Sequence, residues 1–279
     1  MLLEITKIDF ERAVPAAREP KGKIFDVMQD AISMRLDIIG RELLGDPGTA
    51  AVEEGTGSTA DSLRLAVRHL ACVGAFLNEM RGLDLVLTAT GFGVVSTQDT
   101  APASKMRVDS LEGELRRKER LLVSQLVGTL FGVSGWSQTE QRRQNVGTLF
   151  WSFTYLQQYA AISNPMPSDW DGNVPAMLAA DHHLRKHIGW SYMEELLAAL
   201  TSNSLSAPDR VVVTACQRIT GAWIARNHAL VEELLMRLVN TMEADLSQYP
   251  SYADSEAFRL NHFTPYENHA EDSAFHFVG

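Results

Sequence analysis

The stretch DHHLRKH, Asp181 to His187, carries a dense set of metal-ligand side chains. His183 and His187 are four residues apart, so on a helix they share one face, as two imidazoles binding one zinc ion must. The zinc-protease pattern HExxH also needs a glutamate directly after the first histidine as general base, and Leu184 stands there. Asp181 and His182 project away from the His183–His187 face, which leaves no third ligand. The stretch therefore reads as polar surface histidines near a helix end, with no metal site expected.

Other chemical candidates fail on spacing. DWDGN, Asp169 to Asn173, begins like a calcium loop, but positions six and twelve from Asp169 are Val174 and Asp181 where that loop needs Gly and Glu. It reads as a turn before a helix. GFGVVS lacks the third glycine and the parallel βαβ context of a dinucleotide fingerprint. No Walker loop or GxSxG elbow occurs. Cys72 and Cys216 have no His–Asp grouping beside them; His69, one turn before Cys72, reads as its structural neighbour on one helix face. Glu53-Glu54 and Glu232-Glu233 read as solvated faces. The expectation is no catalytic residue, no cofactor, no metal and no enzymatic activity.

The elements that carry these residues are mostly helical. Ile24, Met28, Ile32, Leu36, Ile39 and Leu43 follow three- and four-residue steps, which predicts a helix from Ile24 to Leu44 ended by Gly45-Asp46-Pro47-Gly48. GDPGTAAVEEGTGSTAD then reads as a loop. Asp61 to Arg81 forms a helix with two apolar faces, one through Leu63, Val67, Leu70 and Leu77 and one through Leu65, Cys72 and Phe76, so it belongs at the centre of the core. After Gly82 the period changes. LVLT and FGVVS are short and β-prone with Thr90-Gly91 as a turn, and Ala101-Pro102 leads into a helix through Leu111, Leu115, Leu122 and Leu126 to Gly132.

Further helices are predicted over about Thr139 to Ile162, which carries the aromatics Phe150, Trp151, Phe153 and Tyr155, and over Val174 to Leu200, with a break near Gly189. SNPMPSDWDGNVP reads as a loop between halves. Ala207 to Asn227 and His228 to Ser247 are either one helix or a tight pair, and the chain from Tyr249 onward reads as an extended tail. The fold class is mainly α: a helical bundle with an inserted β-hairpin arm and an extended C-terminal tail. Its parts are an N-terminal half over residues 1–163 with the arm at about 83–101, a C-terminal half over 174–248, and the tail over 249–279. The halves echo each other as helix, polar loop and Asp-started helix with a central Ala-Cys, which is either a duplication or the coincidence of two similar helices.

Composition narrows the function classes. The chain has 279 residues, 45% of them hydrophobic and 22% charged, as expected of a globular protein with a real core. Its start lacks a basic region followed by an apolar run, no window is apolar enough to span a membrane, and two cysteines make no disulfide framework, so cytoplasmic synthesis is expected. A formal charge of −10 argues against tight nucleic-acid binding, which needs Lys and Arg to replace counterions on phosphates. The basic run RRKER sits among Glu112, Glu114 and Glu119 and reads as i,i+4 pairing on a solvated face. An acidic wall can, however, let DNA slide past without sticking.

The segment from Leu85 to Gln98 is uncharged and β-prone, and SAFHFVG near the end alternates apolar and polar residues. Such elements either fold onto their own subunit or are covered by a neighbouring chain. Phe92, Val94, Val95 and Thr97 in the arm and Phe275 and Phe277 in the tail are the expected partner-contacting residues.

LLEITKIDFERAV…FDVMQDAISMRLDIIGRELLGD, LVLTATGFGVVSTQDTAPASKMRVDSLEGEL and ENHAEDSAFHFVG together resemble a family of uncharacterised proteins encoded by phages and prophages of Bacteroidetes, whose members look like virion-assembly components. GFGVVSTQDTAPAS is the most specific part, and the likeness covers about a third of the chain. The resemblance implies a head–tail connector or adaptor in the virion: a helical subunit that forms a ring with itself, contacts portal and tail components, and reads no nucleic-acid sequence. Rival readings are another tail-completion or capsid-associated protein, or a bacterial helical module that binds a protein partner.

Overall fold

The computed structural model describes residues 3–18, 23–83, 85–88, 91–94 and 104–263. The chain is mainly α-helical. Helix α1 (Lys7–Ala13) opens with a reciprocal cap in which Thr6 and Asp9 satisfy each other's backbone N–H groups. Helix α2 (Lys23–Ile39) continues through a π turn (Gly40–Leu44) into α3 (Gly45–Glu53). Helix α4 (Ser58–Glu79) is followed by strands β1 (Leu85–Thr88) and β2 (Gly91–Val94), then by α5 (Lys105–Leu130). The strands pair antiparallel, with Leu85 opposite Val94 and Thr88 opposite Gly91.

The N-terminal layer is built around α4. Every residue from Leu70 to Phe76 is buried, because α1, α2 and α5 surround the helix there, while Leu65 of the expected second apolar face is exposed. Arg35 of α2 crosses the bare face of Gly74, where a Cβ would meet its Nε at 2.3 Å, and forms an ion pair with Glu119 of α5. Buried Trp136 donates its indole N–H to the Leu43 carbonyl at 2.9 Å and ties the end of α5 to the π turn.

Several expected boundaries moved. GDPGTAAVE is helical, not a loop: Pro47 falls in the first turn, where no backbone N–H is needed, and Val52 is buried. The single helix expected over Thr139 to Ile162 is two short ones, α6 (Glu140–Asn145) and α7 (Thr154–Tyr159). Between them Leu149, Phe150 and Phe153 are buried in an irregular stretch, so these two phenylalanines are core residues outside a helix. Helix α8 (Pro167–Ile188) starts before the expected Val174 and absorbs DWDGN, with Pro175 inside it. The break at Gly189 separates it from α9 (Trp190–Thr201); that residue has φ +96°, and a Cβ there would lie 2.6 Å from the Ser255 Cβ.

Helices α10 (Ala207–Ile224) and α11 (His228–Ala244) form a tight pair, with Asn227 capping the second. The tail is helical at its start, in α12 (Pro250–Ala253) and α13 (Glu256–Asn261), where an extended chain was expected. Tyr249 and Tyr252 are buried, the Tyr252 hydroxyl donates to Glu243 at 3.1 Å, and Ser255 caps α13. Residues 264–279 lie outside the described residues. One large apolar core runs from Phe10 to Tyr252, with a second cluster of Phe150, Phe153, Leu156, Ala160, Met177 and Ile224 beside it.

Candidate functional site

Helix α8 does place His183 and His187 on one face, with ring centroids 4.7 Å apart. That face is turned inward against Trp223 of α10, 5.0 Å from the His183 ring, and towards Glu232 of α11. The Glu232 carboxylate stops 3.9 Å from His183 Nε2, which is buried and has no hydrogen-bond partner. Burial, with the nearby His187 adding to it, holds the His183 pKa below its ordinary value. His182 points elsewhere and meets the edge of Trp190. Among the described residues no group of three or more His, Cys, Asp or Glu side chains is placed to hold a metal ion. The cluster is a packing junction of α8, α10 and α11.

Beside it, Arg185 is only 7% exposed and is matched by two carboxylates, Asp181 and Glu194, each at 2.6 Å. Its guanidinium also lies 5.0 Å over the Trp190 ring, so the ion pairs and the aromatic plane fasten α8 to α9. Cys72 and Cys216 are both buried and free. Burial pushes the Cys72 thiol up to about 12 and Cys216 also well above the ordinary thiol range, so neither is a nucleophile at neutral pH.

A partly enclosed cleft lies between α5, the irregular stretch after α6, and α8. It holds about 240 Å³ and is lined by Ser124, Phe150, Trp151, Phe153, Trp170 and Met177. The Ser124 hydroxyl accepts the Phe153 N–H at 3.0 Å, and Arg120 pairs with Asp171 at 2.7 Å on its rim. The volume falls below the range of about 300–1,000 Å³ usual for small-molecule sites. Among the described residues its lining is mainly aromatic and apolar, a seam between Phe150, Trp151, Phe153 and Trp170.

Of the expected contact residues, Phe92 and Val94 belong to β2, paired through the backbone with Leu87 and Leu85. Val95, Thr97, Phe275 and Phe277 lie outside the described residues. One surface had no counterpart in the sequence reading: an open groove between α10 and α11, floored by Val211, Ala215, Leu234 and Leu238 and rimmed by Arg210, Arg218 and Arg237. The signal was present in α10 as Arg210, Val211, Thr214, Ala215 and Arg218, a second stripe beside the buried one through Val212, Cys216 and Ile219.

Comparison with known proteins adds one match. Residues 40–146 are similar to a family of unknown function, DUF6712. The matched stretch runs from the π turn through α4, the two strands and α5 to α6, less than half of the chain. No curated protein and no solved structure matches. Among the described residues no helix is long and apolar enough to cross a membrane.

Proposed function

We propose that this chain is a structural subunit of a phage virion, a head–tail connector or adaptor that assembles as a ring between portal and tail. The observation that carries the reading is the two-stranded sheet of β1 and β2 between α4 and α5. Each strand has only the other as ladder partner among the described residues, which leaves both outer edges open. A pair of four-residue strands is marginal alone, and open edges take up strands from other chains. The reading makes this segment an arm whose remaining hydrogen bonds are completed by a neighbour, with Phe92, Val94, Val95 and Thr97 contributing to that contact.

Three further features support it. The likeness of GFGVVSTQDTAPAS to phage and prophage proteins falls on the same segment. The charge of −10 suits the wall of a channel that must release DNA. His183 packs against Trp223, Arg185 is paired with Asp181, and both thiols are buried, so these side chains are occupied in packing.

The test is assembly of the intact chain and of a deletion lacking residues 90–100. By negative-stain imaging and mass photometry, alone and with portal protein, the intact chain is expected to form rings or defined oligomers. The deletion should keep its far-UV circular dichroism and remain unassembled. An intact chain that stays monomeric under both conditions, or a deletion that unfolds, overturns the reading.

A further inference from the structure

The groove between α10 and α11 holds about 440 Å³ and combines an apolar floor with a cationic rim on an otherwise acidic protein. Val211 on its floor is 54% exposed, a large β-branched side chain left in water. Among the described residues Arg210 and Arg218 have no ion-pair partner, whereas Arg237 is paired with Glu233 at 2.6 Å. A complementary occupant must bring carboxylates spaced along a short apolar strip.

This chain carries such a strip in TPYENHAEDSAFHFVG, residues 264–279, where Glu267, Glu271 and Asp272 precede Phe275, Phe277 and Val278. We propose that the α10–α11 groove accepts residues 264–279 of a second copy of this chain. The apolar floor seats Phe275 and Phe277, and the unpaired Arg210 and Arg218 face the carboxylates. The inference rests on the assembly reading above and names the partner of one of its surfaces.

The last described residues and the groove lie on opposite flanks of α11, the arrangement of a donor and an acceptor for a second copy. His262, at the end of α13, lies 3.6 Å from Glu243 of α11, and Phe263 beyond it is 73% exposed. Glu243 is two residues past groove-lining Thr241, so at roughly 100° per residue the two positions sit about 200° apart around the helix. The core-facing residues Val231, Leu235, Leu238 and Met242 lie between them. The chain thus leaves one flank of α11 while the groove opens on the other. Sixteen residues reach roughly 50 Å when extended, enough to cross to an adjacent copy. Donor and acceptor on opposite flanks make a head-to-tail contact, the type that closes into rings.

Two full-length variants test this, Thr241→Cys on the groove and Ser273→Cys on the donor segment. They are mixed dilute, concentrated, treated with a short bis-maleimide and mapped by mass spectrometry. Because each chain carries only one of the new thiols, a 241–273 link forms only between copies; Cys72 and Cys216 are buried and stay silent. A 241–273 link is the expected product. Arg210→Glu with Arg218→Glu should lower its yield more than about tenfold, and Glu271→Arg with Asp272→Arg on the donor should restore it. Absence of the link overturns the inference. So does a link that forms only in a chain carrying both cysteines, which would place the segment in its own groove, or one indifferent to the charge reversal. Mass photometry of the same samples separates the two claims. Rings without the link sink only the groove assignment; the link in closed dimers that never form rings, with or without portal protein, sinks only the connector reading.

Discussion

At the level of single residues, two histidines are held neutral by their surroundings. His69 and His183 both have pKa values below the ordinary 6.5, chiefly through burial, and each has a buried Nε2 without a hydrogen-bond partner. Below pH 6.5 the unfolded chain takes up protons that the folded one resists, so stability falls as pH drops from there to the depressed folded values and levels off beneath them. The urea midpoint is expected to decline between about pH 7 and about pH 5, and less steeply in the double variant His69→Gln, His183→Gln. Equal slopes in the two proteins would show that these imidazoles are not the cause. Both thiols should be inert to a disulfide reagent in the native protein and react fully in denaturant, since burial disfavours the thiolate at Cys72 and Cys216. A fast-reacting thiol under native conditions would contradict the packing of α4 or α10.

Among the elements, two helical glycines give opposite expectations. A Cβ at Gly172 on α8 would meet nothing within 4 Å, so Gly172→Ala should stabilise the protein by about 0.5–1 kcal/mol through helix propensity. A Cβ at Gly221 on α10 would lie 2.4 Å from the Tyr159 carbonyl oxygen, so Gly221→Ala must push α7 from α10 and should cost about 1–3 kcal/mol. Urea unfolding of both variants checks the pair, and a destabilising Gly172→Ala would put DWDGN back outside a regular helix. The same stretch marks the limit of sequence reading. The stripe through Leu63, Val67, Leu70 and Leu77 made α4 legible because its period is set by burial. Gly172 and Pro175, like Gly45 and Pro47, read as breakers because propensity is local, while Met177, Ala180 and Leu184 bury a whole face and override it. The groove was illegible for a related reason. Val211 and Leu234 lie off the main core stripes and become a shared floor only when α10 and α11 pack side by side.

Across the whole molecule, the packing crosses the loop that divides the chain in sequence. Helix α7 and the irregular stretch before it precede the SNPMP loop, yet they pack on α10. Gln217 of α10 donates to the Leu149 carbonyl at 3.2 Å and to the Tyr155 hydroxyl at 3.2 Å, and Ile224 joins the cluster of Phe150, Phe153 and Leu156. Arg142 of α6 reaches the Thr201 hydroxyl of α9 at 3.2 Å, a second tie across the same boundary. Cutting the chain there would expose these aromatics and strip Gln217 of both acceptors, a loss that is a large fraction of the net stability of a typical domain. Unfolding is therefore expected as one cooperative transition. Single-tryptophan variants retaining Trp136 beside α5 or Trp223 on α10 should report the same urea midpoint, coincident with loss of helical circular dichroism. Separate midpoints would mean that the regions around these tryptophans melt independently and that the shared core does not couple them. A single midpoint would mean that the packing across the SNPMP loop couples both regions into one cooperative unit.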